Sequence, residues 1–377
     1  MAIRVDHVIT RLILGGAQEN TVLTCEGLHA NRDYDVRLIT GPALGPEGEL
    51  LKRAQAGGYP VVLINAMRRS IHPWRDLVSF AALYRLFVER RPHIVHTHSS
   101  KAGILGRIAA RLAGVPIVVH TIHGLPFYEY QSHAENVAYR LLEQVCGAMS
   151  DHIVCVGEVM KEKAVAARLA PRGRFSVVYS GMEIERFEPG PPAARKRLGL
   201  AADDIVLGVV SRLAPLKGHE YLIDAAQDLR KSWPRLKLLF VGDGTLRAEL
   251  ERRGAGLVTF TGLVQSDEIP ELIRAMDVVV HTSLREGLPR VAPQALLCGR
   301  PVVAFDCDGA REVVLNGETG YLVEAESVPG LRDAIARVLA LPDRGRSMGE
   351  RGRERFVKPF DRRTMVAELD ALYRRLL

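Results

Sequence analysis

The chain contains no C-x-x-C pair. Its five cysteines, Cys25, Cys146, Cys155, Cys298 and Cys307, are scattered through 377 residues without metal-ligand spacing. That pattern argues against a disulfide framework or a structural zinc site, and reduced thiols of a cytosolic protein are the expectation. No uninterrupted apolar run reaches the roughly 20 residues needed to span a bilayer. The opening MAIRVDHVIT carries charges at Arg4 and Asp6 and lacks the apolar block of a signal peptide. Both absences read against export, so the expected location is the cytoplasm. Aromatic residues make up only 6%, and neither an RNP-like aromatic pattern nor zinc-finger spacing accompanies the dispersed basic residues. Nucleic acid is therefore not an expected partner. A G-x-G-x-x-G fingerprint, a P-loop, a low-complexity segment and a short repeat are also missing.

What is present is an ordinary globular composition, 47% hydrophobic and 25% charged, with a formal charge of +7. The positive balance suits an anionic partner, a phosphorylated ligand or a membrane surface. The length exceeds what a single core supports, so two domains are expected. Short apolar runs (AIRVDHVIT, YDVRLIT, HIVHTH, IVVHTIHG) alternate with amphipathic segments, which predicts α/β layers around a parallel sheet. The stretch EIERFEPGPPAARKRLGLAADD interrupts this rhythm and is the linker candidate. Beyond it the alternation restarts with IVLGVVSR, LKLLFVGDG, VTFTG, VVVHTS, PVVAFD and GYLVE. The expected fold class is α/β, with two Rossmann-like, doubly wound parallel-sheet domains. The expected boundaries are residues 1–185, 186–356 and a C-terminal helix at 357–377 that packs on either domain. Ligands of such sheets bind beyond the carboxyl ends of the strands, and the cleft between domains is the natural place.

Three motifs carry candidate chemistry. In RLILGGAQEN, Gly15 and Gly16 fall between strand and helix, where backbone N–H groups can approach an anion; a tight turn is the plain alternative. In VVSRLAPLKGHEYL, Arg212 ends a strand and Lys217 follows five residues later. A forked guanidinium and a point-charge ammonium converging there suit a diphosphate, although solvated surface charges are the common fate of such residues. In SLREGLPRVAPQALLCGRP, Glu286 and Gln294 are polar side chains around a helix start that apolar packing does not explain. Gly287 allows close backbone approach there, Pro289 stands near the first helical position, and Gln294 falls in the early turns.

Together these segments resemble the retaining glycosyltransferases of family 4, which have the two-domain GT-B fold. The resemblance runs in the family's order through GGAQ, HTHSSKAGILGRIAARLAGVP, VVHTIHG, VVYSGMEIERF, SRLAPLKG, LLFVGDG, VVVHTS, REGLPRVAPQAL and GETGYLVE. It implies that Arg212 and Lys217 hold the donor diphosphate and that Gly15 and Gly16 face the phosphates across the cleft. It implies that His123 lies near the reacting sugar, and that Gly242 and Asp243 form a second phosphate-side turn. Glu286 takes the first place of an E-x7-E motif, where it touches the donor sugar, with Gly287 and Leu288 beside it. Gln294 stands where the family has the second Glu, which hydrogen-bonds the ribose. An amide keeps an acceptor and a donor but loses charge-assisted strength, roughly 1.5–3 kcal/mol against about 1 for a neutral bond. The acceptor side is expected to include His98, Ser100 and Lys101.

The implied reaction moves a hexosyl or N-acetylhexosaminyl group from a nucleotide-diphosphate sugar, UDP being the commonest, to an acceptor hydroxyl with retention. No cofactor and no metal are expected. DCD at Asp306–Asp308 fits a metal-binding D-x-D literally but matches the family's glycine turn, with Ala310 and Arg311 departing from it and Glu312 kept. The resemblance favours members that build bacterial surface polysaccharide on lipid carriers, hence a glycan or lipid-linked acceptor. The segment MRRSIHPWRDLVSFAALYRLFVERR, with Arg68, Arg69, Arg75, Arg85, Arg90 and Arg91 beside Trp74, Phe80 and Phe87, is suited to an anionic membrane at the inner face of the cell. An ordinary outer helix is the alternative. Two rival functions remain: a nucleotide-sugar epimerase on the same fold, and a non-catalytic nucleotide-sugar-binding protein, which Gln294 encourages.

Overall fold

The computed structural model describes residues 2–44 and 48–377. They form two compact units, one of residues up to Met182 together with Phe360–Leu377, the other Glu183–Pro359. The first unit runs β1 (Ile3–Arg11), α1 (Gly16–Ala30), β2 (Tyr34–Gly41), α2 (Leu51–Ala56), β3 (Val61–Leu63), α3 (Pro73–Arg90) and β4 (Ile94–His98). It continues with α4 (Ser100–Leu112), β5 (Ile117–Ile122), α5 (His133–Ala148), β6 (His152–Cys155), α6 (Glu158–Ala166) and β7 (Phe175–Val177). The second unit runs α7 (Ala194–Arg197), β8 (Ile205–Val210), α8 (His219–Leu229), β9 (Leu236–Val241), α9 (Arg247–Arg253), β10 (Val258–Phe260) and α10 (Ile269–Arg274). It ends with β11 (Val278–His281), α11 (Val291–Leu297), β12 (Val302–Phe305), β13 (Gly320–Val323), α12 (Val328–Leu339) and α13 (Arg346–Phe356). The last helix, α14 (Arg362–Leu376), belongs to the first unit.

Both sheets are parallel. The seven-stranded one is ordered β3-β2-β1-β4-β5-β6-β7 and the six-stranded one β10-β9-β8-β11-β12-β13. Strand order therefore reverses between β1 and β4 in one unit and between β8 and β11 in the other. Those switch points are where open α/β sheets leave a crevice at the strand ends.

Helices cover both faces of the first sheet, and side chains alternate between them. Val5 and Ile9 of β1 join the core under α1 and α14, while Val8 joins the core under α3 and α4. Strands buried on both faces normally read as runs of Val, Ile and Leu. Here His7, His96 and His98 share the parity of Val5, Ile9 and Ile94, and all three are fully or almost fully buried. Helix α14 closes that side with Met365, Leu369 and Leu372. Its Asp361 caps the helix by accepting from the Arg363 N–H at 2.8 Å.

The segment expected to be a linker is ordered into the second unit. Arg195 is buried, donates to Asp277 at 2.8 Å and also bonds the carbonyls of Ala275, Ala202 and Asp204. A proline-rich composition marked the departure from periodicity, but a guanidinium that finds a carboxylate and three carbonyls anchors the strand of chain around it. Helix α11 begins at Val291, two residues after Pro289, so Pro289 shapes the approach to the helix rather than its first turn.

Candidate active site

In the second unit, the loops after β8 and β11 are stitched together. The Leu284 N–H donates to the Leu216 carbonyl at 2.9 Å, and the Thr282 hydroxyl donates to the Lys217 carbonyl at 3.0 Å. Gly218 makes this approach possible. Its φ of 68° is left-handed, and a Cβ there would sit 2.2 Å from the Thr282 carbonyl oxygen. The stitched loops bring Lys217 Nζ to 2.5 Å from Glu286 Oε1, with His281 Nε2 3.6 Å from the same oxygen.

Burial alone would raise the Glu286 carboxyl, but Lys217, His281 and a Ser283 hydrogen bond outweigh it and hold it at about 2. Burial pushes His281 down to about 4, against the pull of Glu286. At neutral pH Glu286 is therefore an anionic carboxylate beside a neutral His281 imidazole. Arg212 is exposed at the end of β8 and forms no ion pair or side-chain hydrogen bond among the described residues. Gln294, half-buried in the first turn of α11, likewise has no side-chain partner there. A guanidinium, an ammonium, a carboxylate and an amide at one switch point can bind an anion and hydroxyl groups together.

Asp308 fixes the carboxylate's backbone. It is a non-glycine residue with φ 48°, and its Oδ2 accepts the Glu286 N–H at 2.7 Å, while the Gly309 N–H donates to the Gly287 carbonyl at 3.1 Å. Asp306 is engaged with Arg311 through two bonds of 3.0 Å. The two acidic residues of DCD thus have separate protein partners. Gly287 and Leu288 are buried beside this turn. Gly242 and Asp243 close the turn after β9 and press against the β8 loop: φ of Gly242 is 136°, and a Cβ there would meet the Ser211 carbonyl oxygen at 2.1 Å. The Asp243 carboxylate accepts from Gly244, its own neighbour, at 2.7 Å. The turn supports Arg212 from behind through the Leu213 N–H to the Asp243 carbonyl, 3.0 Å.

In the first unit, Gly15 caps α1 without a side chain and Gly16 opens it. Ser100 is the first residue of α4 and half-buried. Two expectations change here. His98 is 1% exposed, and both its nitrogens face other imidazoles: Nε2 lies 3.0 Å from His7 Nδ1, and Nδ1 lies 3.1 Å from His123 Nε2. It stands behind His123 and does not present itself to an acceptor. Lys101 Nζ is occupied by Asp76, at 2.6 Å, and by the Ser70 carbonyl, so it ties α4 to α3.

His7, His96 and His98 are also grouped closely enough to hold a metal ion. The His96 nitrogens, however, are taken by the Tyr373 and Thr121 hydroxyls. His96 and His98 are moreover stacked, with centroids 4.4 Å apart, instead of radiating from one point. His7 and His98 instead join His123 in a hydrogen-bonded imidazole chain. Each link needs one donor, so the three tautomers of His7, His98 and His123 are set together. His7 Nε2 is buried without a partner. An orphaned lone pair is tolerated better than an orphaned N–H, so the favoured arrangement has His7 and His98 donating in turn from Nδ1.

Sequence reasoning missed His7, Asp308, His281 and Ser283. The available signal for His7 was histidine at alternate positions in strands whose other residues are β-branched. Asp308 was hidden because only the fold shows its carboxylate reaching Glu286.

Two parallel sheets with this order are the architecture of the GT-B fold. The solved structure of Anabaena Alr3699/HepE with UDP and glucose has this fold (TM-score 0.82, 23% identity, 98% of this chain and 99% of that one). So does sucrose-phosphate synthase of Thermosynechococcus elongatus (TM-score 0.84, 21% identity, 99% of each chain). Residues 15–181 match the glycosyl transferase 4-like domain and residues 192–355 the family described as glycosyl transferases group 1. The UDP-Gal:alpha-D-GlcNAc-diphosphoundecaprenol alpha-1,3-galactosyltransferase of Escherichia coli is 31% identical over 345 residues, 89% of this chain and 88% of that protein. The capsular polysaccharide biosynthesis glycosyltransferase CapM of Staphylococcus aureus is 27% identical, covering 92% and 91%. The chain belongs to the GT-B glycosyltransferases.

Proposed function

We propose that the chain transfers a hexosyl or N-acetylhexosaminyl group from a UDP-sugar to a hydroxyl of a lipid-linked glycan, with retention and without a metal, in bacterial surface-polysaccharide synthesis. The observation that carries this reading is the Lys217–Glu286 pair at the β8/β11 switch point, with Arg212 on the same β8 loop and without a side-chain partner among the described residues. The E. coli relative's donor and diphosphate-linked acceptor support the substrate classes. In this reading the second unit holds the donor and the first the acceptor, with His123, Gly15 and Gly16 serving the reacting sugar and phosphates.

As the bond from C1 to the diphosphate breaks, charge grows on the departing oxygen, and Arg212 and Lys217 stabilise it where it develops. The acceptor oxygen bonds to C1 from the same face, and its proton passes to the departing phosphate. Glu286, anionic and held by Lys217, receives hydrogen bonds from sugar hydroxyls; the ammonium on Oε1 makes it a poor nucleophile. The product is expected to keep the donor's anomeric configuration, read from its C1 proton coupling by NMR. An inverted product, or sugar release without transfer, would count against the reading. Gln294→Glu is expected to tighten UDP binding about tenfold by restoring a charge-assisted bond to the ribose, measured by calorimetric titration.

We further propose a peripheral site at the inner face of the cell membrane. No helix among the described residues is long and apolar enough to cross a membrane. On α3, Trp74, Leu77, Val78, Tyr84 and Val88 are exposed in a stripe, as are Val137, Leu141 and Val145 on α5. The aromatic and basic residues expected to serve there divide. Phe87 is fully buried and Phe80 packs into the same core. Arg90 pairs with Asp6 and Asp35. Trp74, Arg85 and the exposed Arg91 remain for the surface, while Arg68, Arg69 and Arg75 line a cavity at the start of α3.

A further inference from the structure

Four arginines from three separate segments line one cavity in the first unit. Arg11 comes from the end of β1, Arg68 and Arg69 from the loop after β3, and Arg75 from the first turn of α3. With Leu44 and Ser70 they enclose about 550 Å³, a ligand-sized space. The cavity lies beyond the carboxyl ends of β1, β2 and β3, where such sheets bind ligands.

Three of its four guanidiniums have no carboxylate partner among the described residues. Arg68, Arg69 and Arg75 form no ion pair among the described residues, and the one side-chain bond of Arg68 is a long 3.4 Å contact to the Asn65 carbonyl. The neighbouring carboxylate, Asp76, is already held by Lys101 and by the His72 N–H. Like charges gathered in a concave site repel one another, and an anion with several oxygens relieves that repulsion while matching the guanidinium forks. A single carboxylate meets one fork, whereas a diphosphate presents enough oxygens for several. Apolar side chains adjoin the lining in sequence. Ile71 follows Ser70 and is 77% exposed, Trp74 precedes Arg75 and is 68% exposed, and Leu44 in the lining is 52% exposed. Charge in the cavity and hydrocarbon at its edge describe an amphiphile's headgroup and the start of its chain.

We propose that this cavity seats the diphosphate of a lipid-diphosphate acceptor, with the lipid leaving over Ile71 and Trp74 towards the α3 stripe. The inference rests on the transferase reading above and adds the acceptor's anchoring point to it. It assigns a site at which two phosphates are recognised in the first unit, separate from Arg212 and Lys217 in the second.

The test is titration with farnesyl diphosphate, followed by Trp74 fluorescence in a Trp233→Phe background, since the chain has only two tryptophans. Parallel arms use inorganic pyrophosphate, farnesol and phosphatidylglycerol vesicles. Farnesyl diphosphate is expected to bind more tightly than pyrophosphate or farnesol. Arg69→Ala and Arg75→Ala are each expected to weaken it at least about tenfold, as loss of a charge-assisted bond does. Stabilisation by UDP should be unchanged in both variants, and saturating UDP should not displace farnesyl diphosphate. Unaltered affinity in the variants, or displacement by UDP, would overturn the proposal. Arginine-dependent vesicle binding with no preference for farnesyl diphosphate would also overturn it, in favour of a headgroup-docking surface. Absence of UDP stabilisation in the unmutated chain would strike the donor reading instead, and so separates the two failures.

Discussion

Lys217→Ala is expected to lower kcat/KM for sugar transfer by about 10²–10³, the loss that follows removal of one preorganised donor to a developing oxyanion. The effect has two parts that can be separated. Lys217 neutralises Glu286 at 2.5 Å, so the single variant leaves a half-buried carboxylate without its partner and also lowers stability. The double variant Lys217→Ala, Glu286→Gln removes that leftover charge and should recover much of the stability. It should recover none of the turnover. A single variant that stays within threefold of the unmutated rate, measured by nucleotide release in the presence of acceptor, would move the chemistry away from this pair.

Acidification is expected to unfold the first unit before the second. Burial keeps seven imidazoles neutral in the folded chain: His7 is pushed down to about 3, His152, His219 and His281 to about 4, and His96, His98 and His120 well below the ordinary range. A histidine whose folded pKa is depressed binds its proton in the unfolded chain first. Its stabilising contribution is therefore complete above the unfolded value of about 6.5 and falls as pH drops from there towards the folded pKa. Each such group costs about 1.4 kcal/mol per pH unit in that window. Five belong to the first unit and two to the second, so acid weakens the first more than twice as steeply. Glu286, held at about 2, adds its own loss to the second unit only below about pH 4.5. Pulsed hydrogen exchange read by mass spectrometry should show β1, β4 and β5 losing protection near pH 5.5 while β8, β9 and β11 keep theirs. Loss of both sheets at one pH would contradict the assignment of buried neutral histidines to the first core.

Much of this architecture was legible in the sequence because buried parallel strands announce themselves. IVLGVVSR, VVVHTS and PVVAFD are β-branched runs bounded by turns, and they became β8, β11 and β12. The short strands β3 and β7, three residues each, offered no such run, and α13 has too few apolar residues to show a stripe. Within the site, Lys217 and Glu286 were legible as charged residues at strand ends. What escaped was anything that depended on two distant segments meeting. Lys101 and His98 were expected on the acceptor side, but Asp76 holds the one, and His7 and His123 stand on either side of the other. Asp308 belonged to a string that spells a metal motif, yet its carboxylate holds a backbone N–H twenty-two residues earlier.

The central claim is that the β8/β11 switch point of the second unit binds a nucleoside diphosphate. It is tested most directly by thermal stabilisation against UDP, GDP, ADP and their sugar conjugates. A ligand at about 100 times its Kd should add roughly 2.7 kcal/mol. The expected result is a clear shift with UDP and its conjugates, lost in Lys217→Ala and retained in Arg69→Ala. No shift with any nucleotide, or a shift that survives Lys217→Ala unchanged, would contradict the account.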